Sequence, residues 1–79
     1  MKARVVVTLK DGILDPQGKA IEGALKSLGI AGIDTLRQGK IFEIELATND
    51  PTAAEEVLRA ACEKLLANQV VENFQLEIP

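Results

Sequence analysis

Three segments of the chain alternate between apolar and polar residues. In residues 3–10, Val5, Val7 and Leu9 alternate with Arg4, Thr8 and Lys10, and only Val6 breaks the polar side. Residues 41–46 and residues 73–78 repeat the alternation, the last with Phe74, Leu76 and Ile78 on its apolar side. A period of two is typical of a strand with one buried face, so the pattern predicts three strands.

A fourth strand is predicted between the first helix and residues 41–46. Residues 30–38 place Ile33, Thr35 and Arg37 on one face and their neighbours on the other. The following Gln38-Gly39-Lys40 is typical of a tight hairpin turn. We therefore expect residues 30–38 to pair with the strand that follows.

Two helices lie between the predicted strands. Asp15-Pro16 and Asp50-Pro51 each combine a capping carboxylate with a proline at the first helical position. Gly29 is expected to end the first helix, and Asn68, in a left-handed conformation, the second. Gly18 and Gly23 inside the first helix predict a close approach by another backbone. The apolar stripes contain Ala20, Ile21, Ala24, Leu25 and Leu28 in the first helix, and Ala54, Val57, Leu58, Ala61, Cys62 and Leu65 in the second.

The element order β-α-β-β-α-β predicts an α+β fold within a single domain, residues 1–79. This order is typical of a ferredoxin-like sandwich, a four-stranded antiparallel sheet with two helices on one face. Such a fold leaves the other sheet face open. Val6, Ile41 and Val71 are the apolar positions expected on that face, which would suit the stacking of two sheets in a dimer.

Composition limits how so small a fold is stabilised. A domain of 79 residues buries only about 60% of the surface of its unfolded chain. The single Cys62 cannot form an internal disulfide, and the chain has no histidine with which to build a common zinc site. Self-association is the remaining support that we expect.

Charge and hydropathy exclude several classes of protein. Nine basic and 12 acidic residues give a net charge of −3, and only 3% of residues are aromatic, which argues against nucleic-acid binding. No apolar run reaches the roughly 20 residues of a membrane span. Without a signal-peptide pattern and with one free cysteine, the chain is expected in the cytoplasm.

The chain offers little for catalysis. Without histidine there is no imidazole base and no Ser-His or Cys-His nucleophile pair, so no catalytic residue, metal site or cofactor site is predicted. Cys62 lies on an apolar stripe and is expected in the core. Glu43 and Glu45 share one strand face and favour a solvated or salt-bridged surface over a cation site. Gln17-Gly18-Lys19 lacks the spacing of a phosphate-binding loop.

One motif is specific. The run from Leu9 to Ala20 reads LKDGILDPQGKA, and it is followed by Ala24-Leu25, Leu28-Gly29 and the turn Arg37-Gln38-Gly39-Lys40. It resembles the motif of the PurS family, the small subunits of phosphoribosylformylglycinamidine synthase. The resemblance covers the whole chain, and Ile13 stands where valine is common in the family.

The resemblance implies a non-catalytic subunit of a C–N ligase of purine biosynthesis that uses glutamine as amido donor. In this family a glutaminase subunit releases ammonia, and a large synthetase subunit uses ATP and Mg to convert formylglycinamide ribonucleotide (FGAR) to formylglycinamidine ribonucleotide (FGAM). The small subunit, usually a dimer with a tetramer as the alternative, bridges these partners and assists ammonia transfer. No cofactor is expected on this chain.

The motif also supplies candidate contacts with those partners. Gln17 and Lys19 lie in the exposed first turn of the predicted helix, and Gly18 would admit a partner's backbone. Basic side chains at the turn and at the end of the first strand can reach acidic groups on a partner. The candidates are Lys10, Gln17, Gly18, Lys19, Arg37, Gly39 and Lys40.

An alternative of another class shares the element order. Regulatory modules of the ACT type bind small molecules, usually through a glycine-bearing loop after the first strand, where this chain has Asp11-Gly12. Tight binding of an amino acid or a nucleotide to the isolated chain would favour this alternative.

Overall fold

The computed structural model describes residues 1–79 and contains three strands and two helices. The second helix continues without a break into a π-helical segment. The elements are β1 (Lys2–Leu9), α1 (Pro16–Ser27), β2 (Gly39–Glu45), α2 (Pro51–Ala61), the π-helical segment (Cys62–Leu66) and β3 (Glu72–Glu77).

The strands form an antiparallel sheet in the order β2-β1-β3. The central β1 places Val5 opposite Phe42 on one side and Leu76 on the other. The predicted α+β class and antiparallel sheet are therefore confirmed. The sheet has three strands, so the prediction of a fourth is wrong.

Residues 30–38 do not form the predicted strand, and Gly39 and Lys40 begin β2 instead of forming a hairpin turn. The alternating pattern was misleading because side chains, rather than a neighbouring strand, bind this segment. Glu22 accepts a hydrogen bond from the Leu36 amide, and Asp15 accepts one from the Gln38 amide.

Both helix starts are as predicted. Asp15 accepts a hydrogen bond from the Gly18 amide, and Asp50 accepts one from the Thr52 amide. Gly29, at φ +81°, follows the last turn of α1 as expected. Asn68 does not adopt a left-handed conformation, since no residue other than glycine has a positive φ.

The hydrophobic core lies between the sheet and α2. Val5 and Val7 of β1 pack against Leu58 and Cys62, and all four are almost fully buried. Leu65, predicted in the core, is 83% exposed. The wider π-helical turn accommodates an extra residue, so Leu66 takes the inward position. The predicted inward residues Phe74, Leu76 and Ile78 do pack against the core.

The face of the sheet away from α2 carries Val6 and Ile41, which are paired with each other. Both lie where the sequence predicted, and Ile41 is 56% exposed. Val71 lies one residue before β3, and its carbonyl oxygen accepts the Lys10 amide at 2.8 Å, which continues the pairing of β1 with β3. Neither helix is long and apolar enough to cross a membrane.

The apolar stripe of α1 contributes no side chain to the core. Ile21 is 39% exposed and Leu28 is 75% exposed, while the buried residues of this helix are Gly18 and Glu22. The expected two-helix layer is thus formed by α2 alone. We refer to α1 and residues 28–38 together as the arm.

The arm makes the molecule long. The greatest extent is 47 Å, whereas an eight-residue strand such as β1 spans only about 27 Å. The radius of gyration is 15.8 Å. A compact chain of 79 residues would have about 12 Å. The surface that an isolated compact domain would bury is therefore partly open here.

Candidate functional site

The candidate residues gather where the arm meets the sheet. Thr8 near the end of β1 pairs with Gly39 at the start of β2, so the chain leaves and re-enters the sheet at one end. We refer to residues 9–15 and 36–39 as the junction. Side chains from α1 and from the junction itself hold its two segments together.

Arg37 holds the loop that follows β1. Its Nη2 atom donates hydrogen bonds to the carbonyl oxygens of Leu9 at 3.0 Å and Lys10 at 3.1 Å. The same nitrogen lies 3.4 Å from the carbonyl oxygen of Ile13. Its Nη1 atom lies 3.8 Å from a carboxylate oxygen of Asp11. Arg37, predicted to reach a partner, is therefore largely occupied within its own chain.

Asp15 joins the start of α1 to the start of β2. Its Oδ1 atom accepts the amide of Gly18 at 2.9 Å, and its Oδ2 atom accepts the amide of Gln38 at 2.7 Å. These two hydrogen bonds hold the pKa of Asp15 below its usual range, and the bond from the Gln38 amide has the larger effect. Both oxygens of one carboxylate thus bind main-chain amides from different segments.

Gly18 makes close packing of the arm possible. A Cβ atom built there would lie 2.7 Å from the carbonyl oxygen of Leu36 and 2.6 Å from Oδ2 of Asp15. The close backbone that the sequence predicted is therefore the chain's own return segment. The same prediction is wrong for Gly23, where a Cβ atom would meet nothing within 4 Å.

Gln17 and Glu22 add two further bonds between α1 and the return segment. Oε1 of Gln17 accepts a hydrogen bond from the Gln38 side chain at 2.9 Å. Oε1 of Glu22 accepts the Leu36 amide at 3.1 Å, and its Oε2 atom lies 3.4 Å from Nζ of Lys19. Sequence reasoning missed Glu22, although its position four residues after Gly18 places both on one helix face.

The lysines keep their head groups at the surface. Lys19 is 66% exposed and Lys40, which lies 3.7 Å from Glu72, is 53% exposed. Lys40 also lies over the Phe42 ring, 5.8 Å from its centroid. Lys10 has no ion-pair partner in the chain. These side chains remain candidates for partner contact.

A small groove of about 260 Å³ opens at the junction, lined by residues that include Gln17, Gly39 and Lys40. Lys10 and Arg37 are next in the chain to Leu9 and Gln38, which line the groove, and Gly18 and Lys19 follow Gln17 in the first turn of α1. The structure therefore brings all seven candidates to one region. Acidic neighbours of the basic groups make it a mixed surface, suited to a protein partner more than to a phosphate.

The other positions considered from the sequence lie elsewhere. Arg4 and Glu43 form an exposed ion pair of 3.3 Å on the open sheet face, as the salt-bridged interpretation of Glu43 predicted. With Glu45, they line a groove of about 590 Å³ at the far end of the sheet. Cys62 is fully buried, as predicted, and burial raises the pKa of its thiol.

Comparison with known proteins decides the family. The family model described as PurS, phosphoribosylformylglycinamidine (FGAM) synthase, matches residues 2–79. The chain belongs to the PurS family. It is 48% identical over 75 residues to the phosphoribosylformylglycinamidine synthase subunit PurS of Mycobacterium leprae, covering 95% of this chain and 91% of that one.

Solved PurS structures share the whole fold. The purS subunit of Thermotoga maritima superposes with a TM-score of 0.88 at 32% identity, over 98% of this chain and 90% of that one. A chain of the Thermotoga maritima PurLQS structure gives 0.89 at 32% identity, over 98% and 95%. The coverage includes the arm as well as the sheet, so the PurS fold contains both.

Proposed function

We propose that this chain is the small non-catalytic subunit of phosphoribosylformylglycinamidine synthase in purine biosynthesis. The observation that carries the proposal is the PurS family match over residues 2–79, together with relatives that are named as this subunit. The whole assembly is a C–N ligase that converts FGAR to FGAM with glutamine as amido donor. The family match favours a ligase subunit over the ACT-type alternative.

The side chains of this chain agree with a non-catalytic role. With no histidine and with its one thiol buried, the chain has little with which to activate glutamine or ATP. The PurS resemblance implies that the large synthetase subunit uses ATP and Mg and that the glutaminase subunit releases ammonia. This chain bridges the two and assists the passage of ammonia between their sites.

The junction is the proposed contact surface. Lys10, Lys19 and Lys40 present charged heads beside the polar groove, where acidic side chains of a partner would find them. Gln17 and Gly39 line the groove. Arg37 contributes by holding the surface in place, since its guanidinium is bonded within the chain.

We further propose a dimer. The chain exposes 5646 Å², about 1,000 Å² more than a compact protein of 8.5 kDa. A standard interface buries about 800 Å² on each partner. Exposed apolar side chains of the arm, Ile21, Leu28, Ile30 and Ile33, supply surface of the required kind. A tetramer would need a second such surface, and the open sheet face around Val6 and Ile41 is the candidate.

Reconstitution tests the enzymatic role. The chain would be mixed with the glutaminase and synthetase subunits, glutamine, Mg-ATP and FGAR, and FGAM formation measured. Adding the chain is expected to restore glutamine-dependent synthesis, while synthesis from free ammonia needs no such addition. Equal glutamine-dependent rates with and without the chain would contradict the proposal. Co-purification of the three proteins in the presence of glutamine and Mg-ADP gives a direct measure of assembly.

The contact surface is tested at Lys10, which has no ion-pair partner, and at Lys40, whose exposed head group pairs with Glu72. Circular dichroism checks that each variant still folds. Lys10→Glu combined with Lys40→Glu should weaken assembly at least about tenfold, because two charges of the wrong sign would face the partner. Lys64→Glu, in the π-helical segment that follows α2, makes a control. Unchanged assembly of the double variant would remove the junction as the contact surface.

Sedimentation tests the dimer. Leu28→Glu places a charge on the exposed stripe of the arm and should shift the chain toward monomer without loss of helical signal, because Leu28 is already 75% exposed. Lys64→Glu should sediment like the parent chain. A parent chain that is monomeric at micromolar concentration would contradict the dimer. The predicted cytoplasmic location stays a prediction.

A further inference from the structure

The arm depends on the junction for its orientation. No side chain of α1 belongs to the core, so packing on the sheet does not fix this helix. Two segments, residues 9–15 and residues 36–39, join the arm to the sheet at one end. Any contact that fixes these segments relative to each other therefore also fixes the direction of the arm.

The two capping aspartates show that Asp15 does more than start a helix. Each precedes a proline at the first helical position, and each accepts an amide of the first turn. Asp50 uses Oδ1 for the Thr52 amide, and its bond stays within its own helix start. Asp15 uses its second oxygen for the amide of Gln38, 23 residues along the chain. This second hydrogen bond joins the two segments of the junction.

Asp15 and Arg37 act in complementary directions. Asp15, at the start of the arm, binds the main chain where the arm ends. Arg37, at the end of the arm, binds the main chain before the arm begins, at the carbonyl oxygens of Leu9 and Lys10. The two side chains thus cross-brace the segments that enter and leave the arm.

Two comparison structures match this chain over the arm as well as the sheet. This chain superposes over 98% of its length on a purS subunit of Thermotoga maritima, with a TM-score of 0.88. The score is 0.89 for a chain of the PurLQS structure from the same organism. The same arm direction therefore matches relatives in both structures.

We infer that Asp15 and Arg37 are positioning residues that hold the arm in one direction relative to the sheet, so that its exposed surface is ready for partners. The direction itself is a property of the isolated chain. Its use in assembly rests on the proposed function. A partner then binds without first having to order the arm, which would cost free energy.

The first experiment measures the arm directly. Spin labels at Ala31→Cys on the arm and Glu45→Cys at the end of β2, in a Cys62→Ala background, report one distance by pulsed electron resonance. Excess unlabelled chain removes distances between chains. The distance is expected to be single and narrow in the parent. Asp15→Asn loses one acceptor oxygen and should broaden it, whereas the matched Asp50→Asn should leave it unchanged.

Arg37→Lys should broaden the distance in the same way, because an ammonium cannot reproduce the guanidinium geometry. Amide hydrogen exchange provides a second measurement, at the residues of the junction itself. The Gln38 amide, outside regular structure in the arm, should be protected in the parent and lose at least about tenfold of its protection in Asp15→Asn. A narrow distance in both variants with an unchanged Gln38 amide would overturn the positioning role.

The second experiment measures assembly with the glutaminase and synthetase subunits. If the arm is correctly directed in only a fraction of molecules, the apparent affinity falls by that fraction, and about a threefold to tenfold loss is expected for Asp15→Asn. Asp50→Asn should assemble like the parent. Failure of the parent chain to assemble would contradict the proposed function and leave the distance result standing. Normal assembly of Asp15→Asn despite a broadened distance would instead overturn the use of the arm in assembly.

Discussion

The carbonyl oxygen of Leu36 lies 2.7 Å from the position that a Cβ atom of Gly18 would occupy. Gly18→Ala is therefore expected to push the return segment away from α1 and to lower the free energy of unfolding by about 1–3 kcal/mol. Urea denaturation followed by circular dichroism measures this loss.

Gly23→Ala is the matched control for Gly18→Ala. A Cβ atom at this helical position meets nothing within 4 Å. Alanine is favoured over glycine in a helix, so stability should rise by up to about 1 kcal/mol. Equal effects of the two substitutions would show that helix propensity, rather than the contact with Leu36, decides the result.

Arg37→Lys should destabilise the chain while conserving its charge. The guanidinium donates to the carbonyl oxygens of Leu9 and Lys10 through its Nη2 atom. A lysine ammonium would approach these oxygens with a different geometry. We expect a loss of about 1–2 kcal/mol in the free energy of unfolding. Arg4→Lys, at an exposed ion pair with Glu43, should change it by less than about 0.5 kcal/mol. Similar losses in both variants would contradict the special role of Arg37.

The contribution of Asp15 to stability should disappear in acid. Two amide hydrogen bonds hold its pKa in the folded chain below the usual 3.8. A lowered carboxyl pKa stabilises the folded state above the unfolded pKa, and this contribution is lost as the pH falls through the folded pKa. The parent should therefore be more stable than Asp15→Asn at pH 6, and the difference should shrink below about pH 4. A difference that is constant from pH 6 to pH 2 would contradict the assignment.

Cys62 should react with thiol reagents only when the chain opens. It is fully buried, and burial raises the pKa of its thiol. Labelling with a disulfide reagent at pH 8 should be at least about 100-fold slower than in 6 M urea. Ser27→Cys in a Cys62→Ala background supplies the control, since residue 27 is exposed and should react rapidly in both conditions. Rapid native labelling of Cys62 would place the thiol at the surface.

The sequence predicted the elements whose signals are local. The Asp15-Pro16 and Asp50-Pro51 pairs start both helices, because capping needs only residues within one turn. The alternation around Val5 likewise predicts β1 and its buried face correctly. The strand prediction for residues 30–38 was wrong because the alternation of apolar and polar residues does not show whether a backbone amide will bind a neighbouring strand or a side chain of α1. Pairing partners lie far along the chain and leave no local signal.

The candidate site shows the same division. The motif residues come together in the folded chain, and all seven candidates lie in or beside the junction. Their contact with a partner stays a prediction. The motif did not separate the residues that face solvent from those that hold the chain together. Gly18 and Arg37 belong to the second group because their partners, Leu36 and the carbonyl oxygens after β1, are near only in the folded chain.

The hydrogen bonds that the side chains of Asp15, Glu22 and Arg37 make at the junction all end on main-chain atoms. A main-chain amide or carbonyl is the same whatever side chain its residue carries, proline amides aside. Most side chains between position 28 and position 35 therefore do not determine the direction of the arm. Apart from Gly29 and Gly32, which have a positive φ, natural variation or deliberate engineering can change this stretch to suit a new partner while the three anchoring side chains keep the direction of the arm.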